Sequence, residues 1–342
     1  QAYSADFAGM LSLFNALLAA IRPPGASIPG GFPDLSVLQW NPHWQCTVWD
    51  VGNCTAEAGK ALTSILTAAD VDFADVIEYS NPAYELPDGW AAIASSSCGL
   101  DHLDLVYNNL RWTPVDGKSA HAKGCMQASP LDRPYVIQEF AEVGSSERLV
   151  VIAAHFPHPP TFSSTTMEEA VVLREALSEV LNLTSTQRIL LIADTNELPF
   201  TTNPRIAEYL GFPGGKVVNT SMERTCCFDS GFPDWGTFDR IIANFGDSME
   251  TKVLFDPLPA WAREEHAGKR GAFHKAIHGT LRSSGGRVAG GLLMFEALCA
   301  SALLLAVASL AVSCRCVRGS RDLVATQTAE GLLPVGQHEA AV

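Results

Sequence analysis

The sequence predicts an α/β domain in which sheets stack beneath outer helices. Three observations carry that expectation. Six apolar runs with strand character each deliver one polar group at or near an end. Two stretches with helical apolar spacing lie between them. The region that holds them all, 34–281, is a comfortable length for one domain and shows no internal repeat. Polar groups on buried strands cost stability unless they are paired, so core packing alone gives no reason for the pattern.

Residues 1–33 read as an N-terminal segment and linker. Phe7 to Ile21 is apolar enough to be the remnant of a secretory signal or, equally, a short helix packing on the domain; Pro23 to Pro33 is rich in Pro and Gly. Leu35 to Asn41 alternates like a strand and ends on an amide. Thr55 to Val71 has helical spacing, and Asp72 to Glu78 closes an apolar run with a carboxylate. Arg148 to His155 closes another with an imidazole. The tract from His155 to Pro160 reads as a rigid loop, because Pro fixes its path. Thr166 to Leu183 predicts a helix with Ala170, Leu173, Leu177 and Val180 on one face, and Thr165 with Glu168 resembles a capping box at its start. Leu190 to Asn196, Thr237 to Ala243 and Phe273 to Leu281 supply the last three strands, carrying Asp194, Asp239 and His274. His43, His121, His158 and His278 read as surface or loop imidazoles.

Side chains alternate along a strand, so Asp194 and Asn196 leave its end on the same side, spaced to share a cation, a phosphate or a water. Asp and Asn also favour the turns that follow strands, which is the plainer account of the same residues. Asp239, between Phe238 and Ile241, is expected to be buried, where only a partner makes a carboxylate tolerable.

The order Trp-Asn, Glu, His, Asp-x-Asn, Phe-Asp-Arg-Ile, His resembles that of the endonuclease/exonuclease/phosphatase superfamily over roughly Asp34 to Leu281. The resemblance implies a four-layer α/β/β/α sandwich, two packed mixed sheets flanked by helices. It also implies hydrolysis of a phosphoester by water attack with magnesium, calcium or manganese. By this resemblance Asn41 and Glu78 are the metal ligands, hard oxygen donors suited to such ions. Asp194 and Asn196 are the pair that orients water and contacts the scissile phosphate. His274 exchanges a proton or binds a phosphate oxygen while Asp239 fixes its tautomer. His155 is a second phosphate-facing imidazole with Asp101 as its acidic partner, and Arg133 is a phosphate contact. The resemblance requires these residues to converge in one cleft.

The chain also departs from that pattern. Phe273 stands where the family carries Asp, Ile77 where Gln precedes the Glu, Ala193 where a Gly ends the strand, and His43 where several members have Asp. A metal site needs its ligand count, so the alternative function is a catalytically inactive member of the fold acting as a luminal or extracellular binding ectodomain.

The formal charge of the 342-residue chain is −14. Nearly all of it lies before residue 288, because Arg315, Arg318 and Arg321 balance the acids of the tail. Surfaces that track a nucleic-acid backbone are usually basic, so charge demotes duplex DNA without excluding it, and the candidate substrates are nucleic acid, phospholipid and inositol phosphate. After a short linker at 282–287, the segment 288–313 is apolar apart from Glu296 and serines. Crossing a bilayer takes about 20 apolar residues, so this reads as a single transmembrane helix. The three arginines after it predict a cytoplasmic tail at 314–342 and a luminal or extracellular domain. Three glycosylation acceptors, Asn53, Asn182 and Asn219, precede the segment, as do six cysteines at 46, 54, 98, 125, 226 and 227. An oxidising compartment would permit disulfides there. Cys314 and Cys316 are candidates for acylation, or inert thiols.

Overall fold

The computed structural model describes residues 32–43, 46, 54–79, 85–117, 120–127, 131–157, 170–196, 203–214, 217–219, 224–226, 237–264 and 273–283. All of these belong to one unit, Gln1–Gly286. The expected membrane segment 288–313, the tail and most of the N-terminal segment lie outside the described residues, as do Asn53, His158, Cys227 and the capping pair Thr165 and Glu168. Among the described residues no helix is long and apolar enough to cross a membrane.

Two mixed sheets form the body. The first contains β1 (Leu35–Trp40), β2 (Phe73–Ile77), β3 (Trp90–Ala94), β4 (Leu103–Asn108), β12 (Ser248–Val253) and β13 (Ile277–Arg282), in the order β12-β13-β1-β2-β4-β3. The second contains β5 (Trp112–Pro114), β6 (His121–Met126), β7 (Arg133–Glu142), β8 (Arg148–His155), β9 (Ile189–Asp194), β10 (Val218–Asn219) and β11 (Asp239–Ala243), in the order β10-β11-β9-β8-β7-β5, with β6 also paired to β7. Among the described strands, only β1 with β2 and β8 with β9 run parallel; the other pairs are antiparallel. A parallel pair needs a crossover, and helices supply both. Helix α1 (Cys54–Ala68) joins β1 to β2, and α2 (Val171–Leu183) joins β8 to β9. Shorter helices α3 (Asn203–Tyr209) and α4 (Ala260–Glu264) follow.

Three apolar layers account for the stacking. Between the sheets lie Val37, Phe73, Leu105, Phe140, Val151, Ile192, Ile241 and their neighbours. The opposite faces of the central strands meet helices: Leu173, Leu177 and Val180 of α2 cover Ile152 and Leu191, while Ala58, Leu62 and Leu66 of α1 cover Leu38 and Val76. Strands so buried on both faces read as near-continuous apolar runs, which is why β8 and β9 are legible in the sequence. The α2 face is the expected one, with Ala170 beside it in the same cluster. His278 corrects the reading of a surface or loop imidazole. It lies half-buried within β13, and its Nε2 is 2.8 Å from Ser36 Oγ of the neighbouring strand. His121 is likewise a strand residue, exposed on β6, and His43 is buried in the turn after β1.

Candidate active site

The ends of seven strands meet at one rim of the sandwich. Asn41 follows β1 and Glu78 follows β2; His155 and Asp194 end β8 and β9; Arg133 and Asp239 begin β7 and β11; His274 precedes β13. Strand direction explains the convergence, because the antiparallel neighbours of a strand that ends at the rim begin there. His155, Asp194 and Asp239 are thus successive neighbours across β8, β9 and β11. Glu78 and Asn196 leave their strands with φ of 56° and 47°, left-handed values that turn the chain sharply at the rim.

Contacts across the rim join the two sheets. Asn41 Nδ2 donates to Asp194 Oδ2 at 3.0 Å. His274 Nδ1 lies 2.9 Å from Asp239 Oδ2. His155 Nδ1 lies 2.8 Å from Asp101 Oδ2, in the β3–β4 connection. Arg133 Nη1 donates to Asp101 Oδ2 at 2.8 Å and to Glu78 Oε1 at 3.5 Å. Asp194 ties the groups together, its Oδ2 standing 3.5 Å from His274 Nδ1 and 3.6 Å from His155 Nε2. All the carboxylates and imidazoles named are buried.

The backbone fixes these groups as firmly as the side chains do. The His274 amide donates to the Asn41 carbonyl at 3.3 Å, and Trp40 Nε1 donates to the His274 carbonyl at 3.3 Å. The Asn196 amide donates to Asp194 Oδ1 at 3.0 Å, and its side-chain Nδ2 donates to the Phe156 carbonyl at 2.9 Å. The Asp239 amide donates to Thr225 Oγ1 at 3.3 Å. Thr225 supports the site with no mark in the sequence, since it sits in a segment without strand periodicity.

Burial pushes the Asp194 carboxyl up, but His274, His155 and the bonds from Asn41 and Asn196 outweigh it and hold the group below the usual range. Burial also raises Asp101, and the charges of His155 and Arg133 again win and lower it. For His274, burial disfavours the imidazolium, yet Asp239 and Asp194 overcome it and lift the pKa to about 9.

Ligand atoms of Glu78, Asp101 and His155 lie within 4.8 Å of one another, and so do those of Asp194, Asp239 and His274. Carboxylate oxygens in excess of the cationic groups, with amide oxygens beside them, fit a hard divalent cation better than a soft one. Phe273 offers no ligand. It is fully buried among aromatic rings, with Trp261 at 5.6 Å and Trp40 at 6.2 Å between centroids, on the α1 side of the first sheet.

No family model and no curated protein matches the sequence. Solved structures do match the fold. The endonuclease/exonuclease/phosphatase from Bacteroides vulgatus aligns over 74% of this chain and 100% of its own, with a TM-score of 0.55 and 10% identity. The chain has the endonuclease/exonuclease/phosphatase fold. The same fold appears in D. rerio TDP2 complexed with a single-strand DNA product, with a TM-score of 0.52, 15% identity and coverage of 73% of this chain and 99% of that one. It appears again in a mannosyl-6-phosphatase from Bacteroides thetaiotaomicron, with a TM-score of 0.50, 12% identity and coverage of 72% and 98%. In this fold the rim holding Asp194 brings together Asn41, Glu78, Arg133, His155, Asn196, Asp239 and His274, the residues singled out from the sequence.

Proposed function

We propose that the chain is a membrane-anchored, divalent-metal-dependent phosphoric ester hydrolase that cleaves a phosphodiester or phosphomonoester by water attack. One observation carries this reading: Asp194, kept ionised, stands within 3.6 Å of Asn41 and of both carboxylate-backed imidazoles. An ionised carboxylate held by fixed donors accepts a hydrogen bond from water and so orients it for attack. Asn196, locked by Asp194 and Phe156, contacts the phosphate. Each imidazole is held through Nδ1, so each presents Nε2 to a phosphoryl oxygen or leaving group. Asn41 and Glu78 would hold the cation, which when bound polarises the phosphoryl oxygen and offsets its charge.

DNA in the TDP2 complex and the sugar phosphatase both support a phosphoester as the substrate class. The net negative charge counts against a long nucleic-acid duplex, and the apolar segment 288–313 favours a phospholipid or inositol phosphate, because a tether raises the local concentration of head groups. Disulfides Cys46–Cys54 and Cys98–Cys125, together with the exposed Asn182, support a luminal or extracellular domain.

Hydrolysis of bis-p-nitrophenyl phosphate tests the chemistry. It is expected to need magnesium or manganese, to stop with chelator, and to fall at least about a hundredfold in Asp194→Ala and His274→Ala. Phe273 favours the second reading, an inactive binding ectodomain, and a stably folded chain with no turnover and no cation binding would establish that one instead. Anchoring predicts retention in membranes at alkaline pH, lost on deletion of 288–313.

A further inference from the structure

Gln39 and Asp75 are polar residues set within the apolar layer between the sheets. Alternation along β1 turns Leu35, Val37 and Gln39 inward, and along β2 it turns Phe73, Asp75 and Ile77 inward. The parallel register sets Gln39 directly beside Asp75. Both are fully buried, at 0% exposure. Neither oxygen of Asp75 and neither end of the Gln39 amide has a hydrogen-bond partner among the described residues. A polar group left so costs stability that an apolar pair would keep. Their place in the fold supplies a reason. Asn41, which holds Asp194, comes two residues after Gln39, just past the end of β1, and Asp194, Asp239 and Asp101 all act electrostatically on Asp75.

We propose that Gln39 and Asp75 bind ordered water in a sealed layer directly beneath Asp194, and that this water positions the Asp194 carboxylate. The donor set selects the ligand. Two carboxyl oxygens and an amide oxygen accept hydrogen bonds, while the amide nitrogen donates; water does both, and buried waters typically make about three such bonds. A cation would match the oxygens but would face the positive end of the amide. Burial lifts the Asp75 carboxyl well above its ordinary range; the nearby Ala154 amide, which does not reach hydrogen-bonding geometry, opposes the rise, and Asp194, Asp239 and Asp101 reinforce it. A neutral carboxyl both donates and accepts, which again suits water. The positioning role rests on the hydrolase reading; the water site does not.

Crystals of the full chain soaked in a rubidium salt test the site directly. Expected is density refining as water about 2.7–3.2 Å from Asp75 and Gln39, without anomalous signal. A dry layer, or a rubidium peak, overturns the proposal. Enzyme variants test the positioning. Asp75→Leu with Gln39→Leu is expected to fold with an unreduced melting temperature, to lose about tenfold in kcat at unchanged KM, and to be rescued to within about threefold by Asp75→Asn in the otherwise native chain. Native kcat in the leucine pair, or a loss confined to KM, removes the positioning role. Should the pair not fold, Gln39→Leu alone carries the same comparison of kcat with KM. If the native chain hydrolyses nothing, the hydrolase reading fails and the crystallographic result still decides the water site.

Discussion

His274 Nδ1 stands 2.9 Å from Asp239 Oδ2, a contact between residues 35 apart in the chain and carried by opposite sheets. The carboxylate sets which ring nitrogen bears the proton and which way the ring faces. Asp239→Asn keeps the shape and removes that control, so kcat on a diester substrate is expected to drop by about a hundredfold or more, and the melting temperature at neutral pH is expected to fall as the buried imidazolium loses its partner. Native turnover in this variant would contradict the assigned role.

The same pair sets a pH dependence for the metal-free protein. The folded pKa of His274, about 9, lies above its ordinary value of 6.5. A group raised on folding contributes stability that is complete below its unfolded pKa and is lost as pH rises through the folded one. In chelator, the melting temperature should therefore decline between pH 6.5 and about 9, and His274→Asn should flatten that decline. A native profile that rises across this window would exclude the ion pair as its source.

Among the described residues, Arg133 supplies the guanidinium that stands among Glu78, Asp101 and His155. Replacing it with Met leaves two buried carboxylates facing each other without it. Breaking a buried pair from one side typically costs about 3 kcal/mol, so urea unfolding should show a loss of that order. A change under about 1 kcal/mol would mean that Asp101 and Glu78 find compensation elsewhere.

Cys98 and Cys125 close a bridge over 27 residues, and Cys98 pairs through its backbone with Asp101. Substituting both by Ser is expected to cost about 3 kcal/mol in thermal or urea unfolding. It should also lower turnover, because Asp101 loses the anchor that holds it against His155. If turnover survives with stability reduced, the bridge serves the fold without serving the imidazole.

How far the sequence alone reveals this architecture depends on burial. Strands such as β8 and β9 are covered on both faces and advertise themselves as apolar runs ending in His155 and Asp194. Strand β12, Ser248–Val253, alternates between exposed and half-covered positions and carries little apolar signal, so only its pairing with β13 defines it. Asp194, Asp239 and His274 were legible because polar groups at the ends of buried strands are out of place energetically. The engagement of Arg133 with Asp101 and Glu78 was not, since those partners are 32 and 55 residues away and no local period links them. Gln39 and Asp75 are visible in the runs that contain them, but only the register of β1 against β2 makes them neighbours.

The Asn41–Asp194, His274–Asp239 and His155–Asp101 contacts each take one partner from either sheet, and what separates those sheets is a layer of ordinary hydrocarbon side chains such as Phe73, Phe140 and Ile192. The gap between acid and imidazole is therefore inherited from the girth of residues that never meet a substrate. Selection acting on the packing of that filling could retune the chemistry while every polar group at the mouth stayed the same.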